Sequence, residues 1–166
     1  MYDPEKAHYV LATAIIVKNG KYLIAKRSDK EKHFPGMWTV PGGKLRVGDY
    51  SKRPKDTNFY WYNVLEHGLR REVMEEVGLK IKKIKYLTSL ASIYPNGIPN
   101  IVISMFADYD SGEIKLSDEL TEYAWVSLEE AKNYNLIDGI YEELEMLDKL
   151  LKGEEVFEWK KADGRV

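Results

Sequence analysis

The chain of 166 residues contains no cysteine. Disulfides, thiolate metal ligands and cysteine nucleophiles are therefore excluded, and a reducing compartment such as the cytoplasm is expected. The longest apolar run, residues 10–17, is far shorter than the roughly 20 residues that span a bilayer. The first ten residues show no secretory leader pattern. We therefore expect a cytoplasmic protein that has no membrane partner.

Excess charge of either sign is also missing, because 25 basic and 27 acidic residues give a formal net charge of −2. Binding of polymeric nucleic acid usually requires a clear basic excess. A small phosphorylated ligand requires only a few local cations. The charge balance therefore favours a small-molecule partner and no polymeric nucleic acid.

Strand-like and helical patterns alternate along the chain without a repeat or a linker of low complexity. Alternation and turn signals predict six strands: His8–Val17, Tyr22–Lys26, Trp38–Val40, Ile84–Tyr94, Ile101–Tyr109 and Tyr123–Val126. Helical periodicity and capping signals predict three helices: Asn63–Val77, a short one after Ser127, and Tyr141–Leu151. We predict an α/β (α+β) fold in one domain over residues 1–166, with a mixed β-sheet between helices.

The helix over residues 63–77 combines an apolar stripe with an acidic face. The apolar residues recur every four positions: Leu65, Leu69, Val73 and Val77. At about 100° per residue, Glu72, Glu75 and Glu76 lie within an arc of roughly 100°. Gly68 lies one turn earlier on that arc, where we expect it to leave open space above the carboxylates. Gly78 is expected to cap the end of the helix.

Two interpretations of the acidic face are open at this point. A solvated charged surface is the ordinary one, with Arg71 forming an i,i+4 ion pair with Glu75 that contributes little stability. Alternatively, Glu72, Glu75 and Glu76 bind a hard divalent cation, because carboxylate and phosphate oxygens are the ligands that Mg²⁺ prefers. The sequence around the helix decides between them.

A Gly-Gly loop at 42–43 precedes the helix, and residues 71–79 read R-E-V-M-E-E-V-G-L. This resembles the Nudix hydrolase (MutT-like) signature, G-x5-E-x7-R-E-U-x-E-E-x-G-U, in which U is aliphatic. The signature corresponds to residues 43–79 here. Residues 23–27, 35–44 and 122–130 also resemble segments of that family. The resemblance implies an α/β/α sandwich and a phosphorus-anhydride hydrolase with Mg²⁺ or Mn²⁺ as cofactor.

The chain departs from the signature between its first glycine and its arginine. Asp49 stands where the signature has glutamate, and Asp49 and Arg71 lie 22 positions apart where the signature has eight. Fourteen residues are thus inserted within 50–63, and loop-closure entropy tolerates such an insertion. Asp49 is one candidate for the missing acid, and Asp56 and Glu66 are the alternatives.

The resemblance also implies which residues act. Glu72, Glu75 and Glu76 are the expected metal ligands, together with the backbone carbonyl of Gly42. Arg71 is expected to orient these carboxylates by charge-assisted hydrogen bonds. One carboxylate serves as general base towards water: either a glutamate of the signature or a later acid. For the later acid we favour Glu119, with Glu122 and a solvated loop charge as the alternatives.

Substrate contacts are expected from three further positions. Lys26 and Arg27 point to opposite faces of their strand, and we favour Arg27 as the phosphate ligand because guanidinium binds phosphate bidentately. Lys44 is a second candidate for phosphate binding. Trp61 belongs to four consecutive aromatic residues, 59–62, which either stack on a base or anchor the insertion to the domain or to a partner subunit. His33 and His67 are interpreted as surface or packing residues.

These inferences lead to a metal-dependent pyrophosphohydrolase that cleaves a nucleoside diphosphate linked to another group. A nucleoside triphosphate, a nucleotide sugar and a dinucleotide all fit. A nucleotide-binding module that senses without cleaving is the alternative, because Asp49 and the insertion depart from the signature. The isoprenoid diphosphate isomerase branch is disfavoured, because many of its members use a cysteine. A homodimer is possible, because dimers are frequent in the family.

Overall fold

The computed structural model describes residues 3–161. Its strands, in chain order, are β1 (Tyr9–Lys18), β2 (Lys21–Arg27), β3 (Trp38–Thr39), β4 (Gly42–Lys44), β5 (Lys80–Ile93), β6 (Pro99–Ser111) and β7 (Leu120–Val126). Its helices are α1 (Gly48–Ser51), α2 (Val64–Val77), α3 (Leu128–Ala131) and α4 (Ile140–Leu151). All six predicted strands and three predicted helices are present. The two additional elements, β4 and α1, are short.

The strands form one mixed sheet in the order β3-β2-β1-β6-β5, with β4 paired to β1 and β7 to β2. Strands β1 and β6 run parallel, and the other pairs are antiparallel. Asn19 and Gly20 both have positive φ in the turn from β1 to β2, as the Asn-Gly pair predicts. Within residues 3–161, no helix combines the length and the apolar character needed to cross a bilayer.

The sheet carries a separate hydrophobic core on each face. Alternate residues of β1 divide between the cores: Ala14 and Ile16 pack with α2, whereas Ile15 packs with α4. Strands buried on both faces are apolar at successive positions, which explains why residues 10–17 are apolar at every position except Thr13. The predicted α/β/α arrangement is thereby confirmed.

Helix α2 buries the predicted stripe, since Leu69, Val73 and Val77 are almost fully buried. It ends at Gly78, whose φ of 73° lies in the left-handed region and whose N–H donates to the Met74 carbonyl at 3.1 Å. Its first residue follows Asn63, which is also left-handed. The helix thus holds its acidic face beside β4, where the Gly42 N–H donates to Glu76.

Candidate active site

A cleft of about 430 Å³ lies where the acidic face of α2 meets β4, the end of β2 and the residue before β7. Acidic, basic and aromatic side chains line it together. The acidic ones are Glu31, Glu72, Glu75, Glu76 and Glu119, the basic ones are Arg27, Lys44 and Arg46, and the ring-bearing ones are His33, Phe34 and Tyr94. Of the residues favoured from the sequence, Asp49, Arg71 and Trp61 lie outside the cleft lining, which includes Arg27, Gly42, Lys44, Glu72, Glu75, Glu76 and Glu119.

Glu72 is the least exposed of the acidic residues that line the cleft, with only 7% of its surface exposed. It lies against Gly43: a Cβ atom at that position would stand 2.4 Å from the carboxyl carbon of Glu72. The neighbouring Gly42 is equally confined, because its Cβ would meet the Ala12 carbonyl oxygen at 2.4 Å. Gly43 therefore allows α2 to approach β4 closely at the carboxylate, and Gly42 allows β4 to lie close to β1.

Glu76 accepts a hydrogen bond from the Gly42 N–H at 2.9 Å. The pKa of Glu76 is raised to about 8, mainly by burial and to a smaller extent by the negative charges of Glu72 and Glu119. The Gly42 N–H and the Arg27 guanidinium act in the opposite direction. The lining contains five carboxyl groups and three basic side chains, so acidic groups outnumber basic ones in the cleft.

Arg71 connects the carboxylates through three of its nitrogen atoms. Nη2 donates to Glu72 at 2.7 Å, Nη1 to Glu75 at 2.9 Å, and Nε to Asp49 at 2.6 Å. These bonds raise the pKa of Arg71, and the bond from Arg71 is the main cause that holds the pKa of Asp49 below its ordinary value. Arg71 is thus held by Asp49 on one side and by Glu72 and Glu75 on the other, and we call this arrangement the Arg71 brace.

Among the candidates for the missing signature acid, Asp49 is the one that reaches Arg71. Asp56 instead accepts a hydrogen bond from the Tyr62 N–H within the insertion. The expectation for Gly68 was wrong. A Cβ there would meet Asp49 Oδ2 at 3.3 Å and Leu45 at 3.5 Å, so this glycine makes room for the Asp49 loop and leaves no open space above the carboxylates.

The two cations at the end of β2 separate as strand alternation predicts. Lys26 forms an ion pair with Glu122 at 2.8 Å, whereas Arg27 lines the cleft. Arg27 donates to the Glu31 carboxylate at 2.9 Å and to the His33 carbonyl at 2.8 Å. Of the two candidates for the later acid, Glu119 lines the cleft, while Glu122 is occupied by its ion pair on β7.

Trp61 does not line the cleft, contrary to the sequence-based assignment as a substrate-binding residue. Its indole N–H donates to the Arg53 carbonyl at 2.9 Å, and its ring packs against Tyr50 with centroids 5.4 Å apart. Phe59 and Tyr60 are largely exposed. The aromatic run therefore anchors the insertion through one ring and presents the others to solvent.

Ring-bearing residues that the sequence interpretation missed line the cleft on another side. Tyr94 is one of them, and His33 stacks on it with ring centroids 5.0 Å apart and planes inclined by 21°, in agreement with the interpretation of His33 as a surface or packing residue. Lys44 Nζ lies 5.6 Å from the Tyr94 ring centroid and 5.0 Å from that of Tyr9. In the sequence, this wall corresponds to two turn segments: residues 33–36, between β2 and β3, and residues 94–98, between β5 and β6.

The donor chemistry of the cleft fits a hard divalent cation. Its side-chain donors on α2 are carboxylate oxygens, which Mg²⁺ and Mn²⁺ prefer. Burial is the main cause of the raised pKa of Glu76, and the charges of Glu72 and Glu119 add to it, so a nearby cation would favour the ionised form of Glu76. Within residues 3–161, no three acidic or histidine side chains already surround one point as ligands of an ion do. Glu72 and Glu75 point to Arg71, and Glu76 points to Gly42.

Comparison with known proteins agrees with this geometry. The family model of the NUDIX domain matches residues 8–149 of this chain. The chain is 29% identical over 132 residues to the nucleoside triphosphatase NudI of Escherichia coli strain K12, covering 74% of this chain and 84% of that protein. It is 32% identical over 128 residues to the NAD-capped RNA hydrolase NudC of Actinobacillus succinogenes, covering 72% of this chain. That match spans only 41% of NudC.

A solved structure shows the same architecture. The MutT NUDIX hydrolase of Burkholderia pseudomallei superposes with a TM-score of 0.68 at 25% identity, covering 86% of this chain and 99% of that one. The signature, the fold and the cleft that combines acidic and basic side chains thus agree with one another. The chain belongs to the Nudix family, and it is a hydrolase of phosphorus-containing acid anhydrides.

Proposed function

We propose that this protein is a metal-dependent pyrophosphohydrolase of a nucleoside diphosphate linked to a further group, with nucleoside triphosphates as the first substrates to test. The observation that carries the proposal is the convergence of Glu72, Glu75, Glu76 and Glu119 with Arg27 in one cleft. NudI, which matches over most of both chains, is a nucleoside triphosphatase. That likeness supports placing triphosphates first.

The proposed metal ligands are the carboxylates of Glu72, Glu75 and Glu76 and the Gly42 carbonyl. Bound Mg²⁺ or Mn²⁺ would polarise the phosphoryl group and lower the pKa of the attacking water. Arg71 keeps two of these carboxylates in place through the hydrogen bonds described above. Its function is positioning, because its side chain lies behind the carboxylates.

A cleft carboxylate accepts the proton of the attacking water in this proposal. Glu119 is our candidate because it lines the cleft and its charge acts on Glu76. Arg27 binds a substrate phosphate, for which it can exchange its bond to Glu31. Lys44 adds a second positive charge beside the ring wall of His33 and Tyr94, on which a base can stack.

A hydrolysis panel tests the proposal. Nucleoside triphosphates, nucleotide sugars and dinucleoside polyphosphates are each incubated with Mg²⁺ and with Mn²⁺, and the products are identified by mass. We expect cleavage within the diphosphate of at least one class, abolished by chelator and restored by metal. Glu76→Gln should remove this turnover, whereas Glu66→Gln on the same helix, outside the cleft, should retain it.

The outcome that opposes the proposal is equally specific. Binding of a panel member without turnover under either metal, unchanged by Glu76→Gln, would identify a sensing module in place of an enzyme. Turnover that persists in Glu76→Gln and in chelator would contradict the assigned metal site. Turnover that is lost in Glu66→Gln would show that the effect of Glu76→Gln is not specific to the cleft.

A further inference from the structure

A second cavity, of about 300 Å³, lies between β5 and α4. Helix α4 packs in the core on the sheet face opposite α2, and the cavity shares none of its lining residues with the catalytic cleft. Trp159, beyond the end of α4, forms part of its wall. The proposed hydrolase chemistry uses no residue of this cavity.

Glu143 is the unusual member of the lining. It sits in the first turn of α4, only 5% of its surface is exposed, and it lines the cavity. Within residues 3–161 it forms no ion pair with a basic side chain. Ser104, which lies close enough to favour its charged form, has a buried hydroxyl without a hydrogen-bond partner. A buried carboxyl without a counter-charge costs free energy, and this one faces an open space.

The other lining residues indicate which kind of ligand would satisfy the Glu143 carboxyl. Asp138 and Glu142 add two further carboxylates, and no lysine, arginine or histidine is among the lining residues that the structure describes. The other walls are largely apolar, with Leu90, Met146 and Trp159. An inorganic cation would leave these apolar side chains in contact with water. An organic cation satisfies both parts, because aromatic faces and carboxylates together attract an ammonium group.

We propose that this cavity binds a small organic cation: a primary ammonium group carried on an apolar body, with the ammonium at Glu143 and the body against Trp159. An ammonium group has three N–H donors, and the cavity lining has three carboxyl groups. The cavity volume suits a small molecule, because ligand pockets begin at about 300 Å³. The site is separate from the catalytic cleft, so the ligand is not the phosphate-bearing substrate.

Calorimetric titration with tryptamine, against its neutral counterpart tryptophol, tests this proposal in an amine-free buffer. The two probes share the indole body and differ in the ammonium group. We expect one tryptamine per chain and binding of tryptophol weaker by about tenfold, the range of a charge-assisted hydrogen bond. Glu143→Gln should weaken the binding of tryptamine by a similar factor and leave the binding of tryptophol unchanged. Glu145→Gln, an exposed position on α4, is the matched control and should bind as wild type does.

Three measurements keep the result decisive. Hydrolysis by Glu143→Gln should equal that of wild type, which shows that the variant is folded and that the catalytic cleft is intact. If that variant does not fold, Trp159→Ala takes its place and should weaken both probes. Equal binding of the two probes, or tryptamine binding unaffected by Glu143→Gln, would overturn the proposal. So would displacement of tryptamine by a product nucleotide, because that places it in the catalytic cleft.

Discussion

Arg71 Nε donates to Asp49 Oδ1 at 2.6 Å, a bond between residues 22 positions apart that closes the inserted loop onto the acidic helix. Asp49 also accepts from the Arg46 N–H at 2.8 Å, so its own position is fixed by the loop. The same guanidinium holds Glu72 and Glu75. Asp49 therefore acts on the candidate metal ligands through Arg71.

The first prediction concerns this brace. Asp49→Asn removes the charge that fixes Arg71, and we expect kcat to fall by about 10- to 100-fold, as for other residues that orient metal ligands. KM should change little, because Asp49 is absent from the cleft lining. Steady-state kinetics with Mg²⁺ measure both. Asp56→Asn, in the same insertion but bonded to Tyr62, is the control, and an equal loss in both variants would contradict the brace.

The second prediction concerns the closest approach in the site. Gly43→Ala would place a Cβ 2.4 Å from the Glu72 carboxyl carbon and 2.5 Å from its Oε1, so the carboxylate must move. We expect loss of most metal-dependent turnover and a destabilisation of about 1–3 kcal/mol from overpacking. Denaturant unfolding and hydrolysis rates measure the two effects. Gly48→Ala, whose Cβ would meet Lys52 at an ordinary 3.7 Å, should leave both quantities near wild type.

The third prediction separates anchoring from substrate binding in the insertion. Trp61→Ala removes the ring contact with Tyr50 and the hydrogen bond to the Arg53 carbonyl. We expect the free energy of unfolding to fall by about 2 kcal/mol for this half-buried ring. KM should not change. Phe59→Ala, at an exposed ring of the same run, should alter stability by less than about 0.5 kcal/mol. A raised KM with unchanged stability in Trp61→Ala would restore the base-binding interpretation.

Periodicity predicted the helix and its acidic face because both depend on neighbours along the chain. Helical periodicity places Glu72, Glu75 and Glu76 together whatever the rest of the fold does. The start of β5 was misjudged for the opposite reason. The strand begins at Lys80, four residues before the prediction, and its first half carries several lysines. An edge strand tolerates such charges, and they conceal its apolar alternation.

Contacts between distant segments could not be predicted from local pattern. Gly68 is explained by Asp49, which reaches it only after the inserted loop has folded back. His33 becomes a wall of the cleft only because Tyr94 lies beside it, and these residues belong to different turns. The same applies to Glu143, because the periodicity of α4 does not show that this residue lies buried beside a cavity between α4 and β5.

The last prediction concerns Glu143 and stability. Burial raises its pKa from 4.5 to about 7, so the folded protein binds this proton more tightly than the unfolded chain does. Stability from this group is fully present below about pH 4.5, falls as the pH rises towards 7, and stays low above that value. The pKa difference corresponds to roughly 3 kcal/mol. A glutamine at this position cannot ionise, so Glu143→Gln should not lose stability in this way as the pH rises.

Urea unfolding of wild type and Glu143→Gln across pH 4.5–8.5 measures the effect as a difference, in which the other titrating groups cancel. We expect similar free energies of unfolding at pH 4.5 and a variant more stable by up to about 3 kcal/mol at pH 8. Glu145→Gln, at an exposed position, should follow wild type throughout. A saturating amine should narrow the difference at pH 8, because it binds the folded wild type and supplies the missing counter-charge. A difference that does not depend on pH would mean that folding leaves the pKa of Glu143 unchanged, which contradicts this prediction.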